Sequence, residues 1–208
     1  IIVACTQKIK LLTTGEVERI RLILSTYQDG TGMLAHKEGL TLPGWRDFER
    51  AVALALGGEA QESKYIFDVL LPSAKENIKC GVSCKMRREL NRLDRDGRVT
   101  IEISNSAGKF WDYLNDQGIN QSNYKQRPAE VGNALLNLVE QWYQSVSIER
   151  GGSVDLSSSC YLVLSWNKQG WYQLHQFNLG ISDINHINWY FPAVGKQSEV
   201  LATRLNGD

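Results

Sequence analysis

Residues 67–86 read FDVLLPSAKENIKCGVSCKM, two apolar runs of strand character joined through the polar segment SAKEN. Each run carries one charged residue in its middle, Asp68 in the first and Lys85 in the second. A strand bound for a core excludes both, because an unpaired buried charge is costly. Strand alternation puts Tyr65, Phe67 and Val69 on one face of the first run and Ile66, Asp68 and Leu70 on the other. In the second run it separates Gly81, Ser83, Lys85 and Arg87 from Val82, Cys84 and Met86. One strand therefore has an apolar face and a polar face, and the polar face can meet Asp68 if the two strands are neighbours.

On the N-terminal side, a helix is expected from Trp45 to Leu56, starting after Pro43-Gly44 and stopping at Gly57-Gly58. Its Glu49 sits among Trp45, Val52, Ala53 and Leu56, at the centre of the apolar stripe. A carboxylate there needs a partner; Arg46, another basic group or a bound cation would serve. Earlier still, residues 14–28 read as an amphipathic helix with a Thr and early Glu capping signal, and 29–44 as a long Gly-rich loop.

On the C-terminal side, the pattern predicts a short basic helix (RRELNRL), a DRDG turn and a third strand, RVTIEIS. Helices are expected over 107–118 and 129–146, and a loop over 147–159. Strands CYLVLSW and WYQLHQFNL form a hairpin about the NKQG turn, and INWYFPAV reads as a further strand. Helices, then strands, then helices and strands again give an α/β (α+β) fold with a mixed sheet, in one domain over 1–208. No strand leads into a G-x-G-x-x-G or P-loop signature, so no nucleotide cofactor is expected.

With 42% hydrophobic and 22% charged residues in 208, the composition is that of a globular chain. No apolar run nears the roughly 18–20 residues of a membrane span. The opening IIVACTQKIKLL lacks a signal peptide's cationic start, so a cytoplasmic protein is expected. Cys5, Cys80, Cys84 and Cys160 lack zinc-site spacing and read as reduced, packed thiols. His36, His175 and His186 are scattered and read as surface or hydrogen-bonded residues. The formal net charge of zero argues against nonspecific coating of nucleic acid, yet it conceals a basic run, Lys75 to Arg98, next to the unusual strands.

A helical Phe48-Glu49, then Phe67-Asp68-Val69 on one strand and Ser83-Cys84-Lys85 on the next, resembles the PD-(D/E)XK nuclease superfamily, type II restriction endonucleases most. The resemblance spans about residues 43–105. It departs from the family pattern at Phe67, where Pro is usual, and at Ser83, where an acid is usual. The latter is similar to the Ser-x-Lys branch, in which a Glu further along supplies the missing carboxylate. Glu89 and Glu102 are the candidates, with Glu102 favoured because a strand fixes a ligand more rigidly than a short helix.

The resemblance implies a restriction-endonuclease-like core about a mixed sheet, with the catalytic part over about 43–145 and C-terminal strands over 160–205 serving DNA recognition or dimerisation. It implies Mg2+ held by Asp68, by Glu102 or Glu89, by Glu49 and by the Cys84 carbonyl, with Lys85 at the attacking water or scissile phosphate and Ser83 on a metal water. The expected partner is double-stranded DNA, cut by a homodimer. Arg87, Arg88 and Arg92 are candidate DNA contacts, as are Lys168, Gln169 and Arg204 in the polar, aromatic-rich tail that starts at Asn167.

Overall fold

The computed structural model describes residues 10–61, 66–97, 99–102, 107–180, 187–191, 193 and 201–204, the last four by backbone alone. Cys5, Tyr65, Arg98, Ser104, Asn185, His186 and the Arg204 side chain lie outside this description. Contacts group the chain into two compact units, one drawn from 7–101 and 146–179, the other from 102–145 and 180–208.

The first unit is built on a five-stranded mixed sheet flanked by helices. Its helices are α1 (Thr14–Thr26), α2 (Trp45–Leu56) and α3 (Leu90–Asp96), and its sheet strands are β3 (Glu59–Ala60), β4 (Val69–Pro72), β5 (Lys79–Arg87), β6 (Cys160–Trp166) and β7 (Tyr172–Asn178). The order is β3-β4-β5-β6-β7; β5 and β6 run parallel, and every other neighbouring pair is antiparallel. A small hairpin of β1 (Leu34–Ala35) and β2 (Thr41–Leu42) forms within the stretch expected as plain loop. The Thr13 hydroxyl accepts the Glu16 N–H while the Glu16 carboxylate accepts the Thr13 N–H, so the capping box reads true. Helix α2 is likewise fixed at its start, where the Asp47 carboxylate accepts N–H bonds from Gly44 and Met33, each 2.8 Å.

One face of the sheet is the core. Val69, Val82, Cys84, Cys160, Leu162 and Leu164 pack against Phe48, Ala51, Val52 and Ala55 of α2 and Ile20 and Leu24 of α1. Burying each of the larger aliphatics contributes about 1.5–3 kcal/mol, so this layer sets how firmly α2 and its Glu49 are held on β5.

Two expectations about strands need correction. The first run forms a strand only over Val69–Pro72, and Phe67 does not share the Val69 face: its ring lies over Gly81, where a Cβ would meet ring carbons at 2.4–2.6 Å. Residues 99–102 form no strand, because the Thr100 N–H is taken by the Glu89 carboxylate (2.9 Å) instead of a ladder partner.

The second unit holds α4 (Ala107–Asp116) and α5 (Pro128–Val146), the latter belonging to it up to Ser145, with an antiparallel pair, β8 (Ile187–Tyr190) and β9 (Leu201–Arg204). Its core joins Leu114, Ile119, Val131 and Ala134 with Phe110, Trp111, Tyr124 and Phe191. Gly132 is required there by close approach, since a Cβ would strike the Trp189 ring at 2.0 Å. Among the described residues no helix is long and apolar enough to cross a membrane.

Candidate active site and basic cleft

Asp68 stands where β4 parts from β5. Its N–H donates to the Val82 carbonyl (3.0 Å), and its Oδ2 accepts the Cys84 N–H (2.8 Å) and, more weakly, the Ser83 hydroxyl (3.3 Å). A side chain thus replaces a backbone acceptor, and the strands separate without leaving the Cys84 N–H orphaned. Oδ1 of Asp68 has no hydrogen-bond partner among the described residues. The Lys85 Nζ lies 4.0 Å from Oδ2, with the two side chains 22% and 29% exposed, so solvent reaches both.

Glu49 lies on α2, the helix that packs on β4 and β5. Its side chain is 8% exposed, and its Oε2 lies 3.7 Å from the Arg46 guanidinium, which itself stacks 4.5 Å over the exposed Trp45 ring. Burial pushes the Cys84 thiol well above the ordinary range, the Asp68 and Glu49 charges push it further, and Lys85 opposes them. Asp68 and Lys85 are therefore brought together, while Glu49 is carried by α2, which packs on the Val82 and Cys84 face of the sheet.

The two candidates for the additional carboxylate are placed differently. Glu89 is closed off: its Oε1 accepts the Thr100 N–H, its Oε2 pairs with Arg92 at 2.5 Å, and the Ser165 hydroxyl lies 3.5 Å away. Burial pushes its pKa up, but the Thr100 and Arg92 contacts outweigh this and hold it below the usual range. Glu102 is exposed and belongs to the second unit. The described residues contain no cluster of three or more His, Cys, Asp or Glu side chains able to hold a metal.

Beyond the carboxyl ends of the parallel strands β5 and β6 lies an open cleft of about 450 Å³. Arg88, Arg92 and Arg95 line one side, and Trp166, Asn167, Lys168 and Gln169 of the β6–β7 turn line the other. Four of the expected DNA contacts, Arg88, Arg92, Lys168 and Gln169, therefore share one surface although they come from distant parts of the chain. Arg87 ends β5, half-buried and opposite Ser165. The wall is braced by an amide pair that the sequence did not single out as such: the Asn167 side-chain amide donates to the Asn91 side-chain Oδ1 (2.9 Å), while its own Oδ1 accepts the Gln169 and Trp171 N–H groups. The N-x-x-G turn was the available signal for the second half of that arrangement. No family model, curated protein or solved structure gives a significant match to this chain.

Proposed function

We propose that the protein is a Mg2+-dependent endonuclease with a restriction-endonuclease-like core, a type II restriction enzyme that cuts double-stranded DNA as a homodimer. The observation that supports this reading is the Asp68–Lys85 pair, 4.0 Å apart where β4 meets β5 and reached by solvent.

Mg2+ keeps several waters and needs only one or two protein carboxylates, so the solvent-reached Asp68 carboxylate beside Lys85 fits it. Asp68 through Oδ1 is the group that would hold it, with the Cys84 carbonyl beside it and Glu49 reached directly or through water. When bound, it would neutralise charge that builds on the phosphate oxygens. Lys85 orients the attacking water and counters the developing anion. Ser83 and the Cys84 N–H fix the Asp68 carboxylate so that one oxygen stays directed outward. Water adds to phosphorus, the P–O3′ bond breaks, and the 3′ oxygen leaves with a proton, giving 5′-phosphate ends.

Incubation of purified protein with supercoiled plasmid and Mg2+ tests this reading. Reproducible fragments from the wild type and none from Lys85→Met are expected; wild-type cleavage by Lys85→Met would sink it. A smear or junction-only cutting would point to a repair or resolving nuclease with the same site. A second reading, a non-catalytic DNA-binding module, draws on the Arg46–Glu49 pair, which already gives that carboxylate a cation. It predicts DNA binding without cleavage under any divalent metal.

A further inference from the structure

We infer that the cleft between α3 and the β6–β7 turn is a metal-independent site for the phosphodiester backbone of duplex DNA, and that Arg88 and Lys168 are the two cations that bind it. The inference rests on the nucleic-acid reading above, but not on the nuclease chemistry.

The lining carries Arg88, Arg92, Arg95 and Lys168 against a single acid, Glu89, in a chain whose formal net charge is zero. The four cations are not equivalent. Arg92 is engaged by Glu89 and by the Thr100 hydroxyl, and both nitrogens of the Arg95 fork that face Asp96 are bonded to it. Arg88 and Lys168 are exposed and have no ion-pair partner among the described residues. They approach from opposite walls, so a bridging ligand with several anionic oxygens matches them better than a single carboxylate does.

Three further features favour a polymer backbone. The cleft is open, and it sits at the carboxyl ends of two parallel strands, the end of an α/β sheet at which ligands bind. Its lysine wall is a turn braced by Asn167 and tied to α3 through Asn91, so the backbone that carries Lys168 is set against α3 before any ligand arrives. Finally, Arg88 lies three residues past Lys85, which places the cleft about 10 Å along the chain from the proposed reaction centre, roughly three nucleotide steps along a duplex axis. A strand held by the cleft is thereby kept in reach of Lys85. Gln169, exposed beside Lys168, is the neighbouring amide able to meet a base edge.

The test is fluorescence anisotropy of a labelled mixed-sequence duplex of about 20 base pairs in EDTA, measured across a series of salt concentrations. Each phosphate contact contributes about 0.9 to the slope of log K against log salt, so the Arg88→Gln/Lys168→Gln double variant should lose about 1.8 of slope and at least about tenfold in affinity at low salt. Arg95→Gln, whose guanidinium is already bonded to Asp96, should change either by much less. The inference is overturned if the double variant keeps the wild-type affinity and slope, or if the wild type does not bind the duplex at low salt. Absence of Mg2+-dependent cleavage with these binding results intact would count against the nuclease reading alone. All three positions are exposed, and a melting curve for each variant separates lost contact from lost fold.

Discussion

The carboxylate of Asp68 sits 2.8 Å from the backbone nitrogen of Cys84, performing for β5 the service that a carbonyl of the adjoining strand would otherwise perform. This bond separates two substitutions that a purely catalytic view would treat alike. Asp68→Asn retains a side-chain acceptor for the Cys84 N–H, whereas Asp68→Ala leaves that donor unpaired at a cost of about 1–3 kcal/mol. Urea unfolding should therefore find the alanine variant clearly less stable than the asparagine variant, while both lose Mg2+-dependent cleavage. Equal stability of the two would show that the bond contributes nothing to the fold.

Glu89 supplies a prediction about pH. Its folded pKa is held below the ordinary value, so its contribution to stability is present above the ordinary glutamate pKa and is lost as pH falls through the depressed folded value. Glu89→Gln should destabilise by about 1–3 kcal/mol at neutral pH, and the gap to the wild type should close progressively below about pH 4. Thermal melts of both proteins across that range measure it; a constant gap would mean that the carboxylate's charge is not what matters.

The same pair of acids gives a prediction about activity. On the nuclease reading, Glu102→Gln should abolish cleavage and Glu89→Gln should leave most of it, after correction for folded fraction. The reverse ranking in a plasmid assay would move the ligand role to Glu89 and require its link to Arg92 to open during catalysis.

Thiol labelling examines the convergence of charges around Cys84. Burial, followed by Asp68 and Glu49, keeps that thiol protonated at pH 8, and burial pushes Cys160 up to about 11. Iodoacetamide should label half-buried Cys80 well before either in the native protein, and mass spectrometry of the peptides reports the order. Fast native labelling of Cys84 would contradict the packing of α2 on β5.

The helices and the long strands were legible because their signals are local. The stripe of α2, the alternation along β5 and the turn between β6 and β7 all follow from residues near in sequence. What escaped depends on side chains that substitute for backbone. Asp68 replaces a rung of the ladder, so that β4 starts only at Val69; Glu89 captures the Thr100 N–H, so that residues 99–102 form no strand. Phe67 leaves the face that simple alternation assigns it because Gly81 offers room for its ring. The cleft needed one more non-local fact, the parallel register that puts Arg87 opposite Ser165 and carries the β6–β7 turn up to α3.

The bare Cα of Gly81 has a consequence for how the protein tolerates change. Any methyl group there would lift the Phe67 ring and drag the adjacent acid with it, so an alanine at this chemically inert position should mimic an active-site knockout although no reactive group has been removed. A random loss-of-function screen should therefore recover hits at a residue that can neither bind nor react, and a compensating Phe67→Leu change should restore some of what was lost.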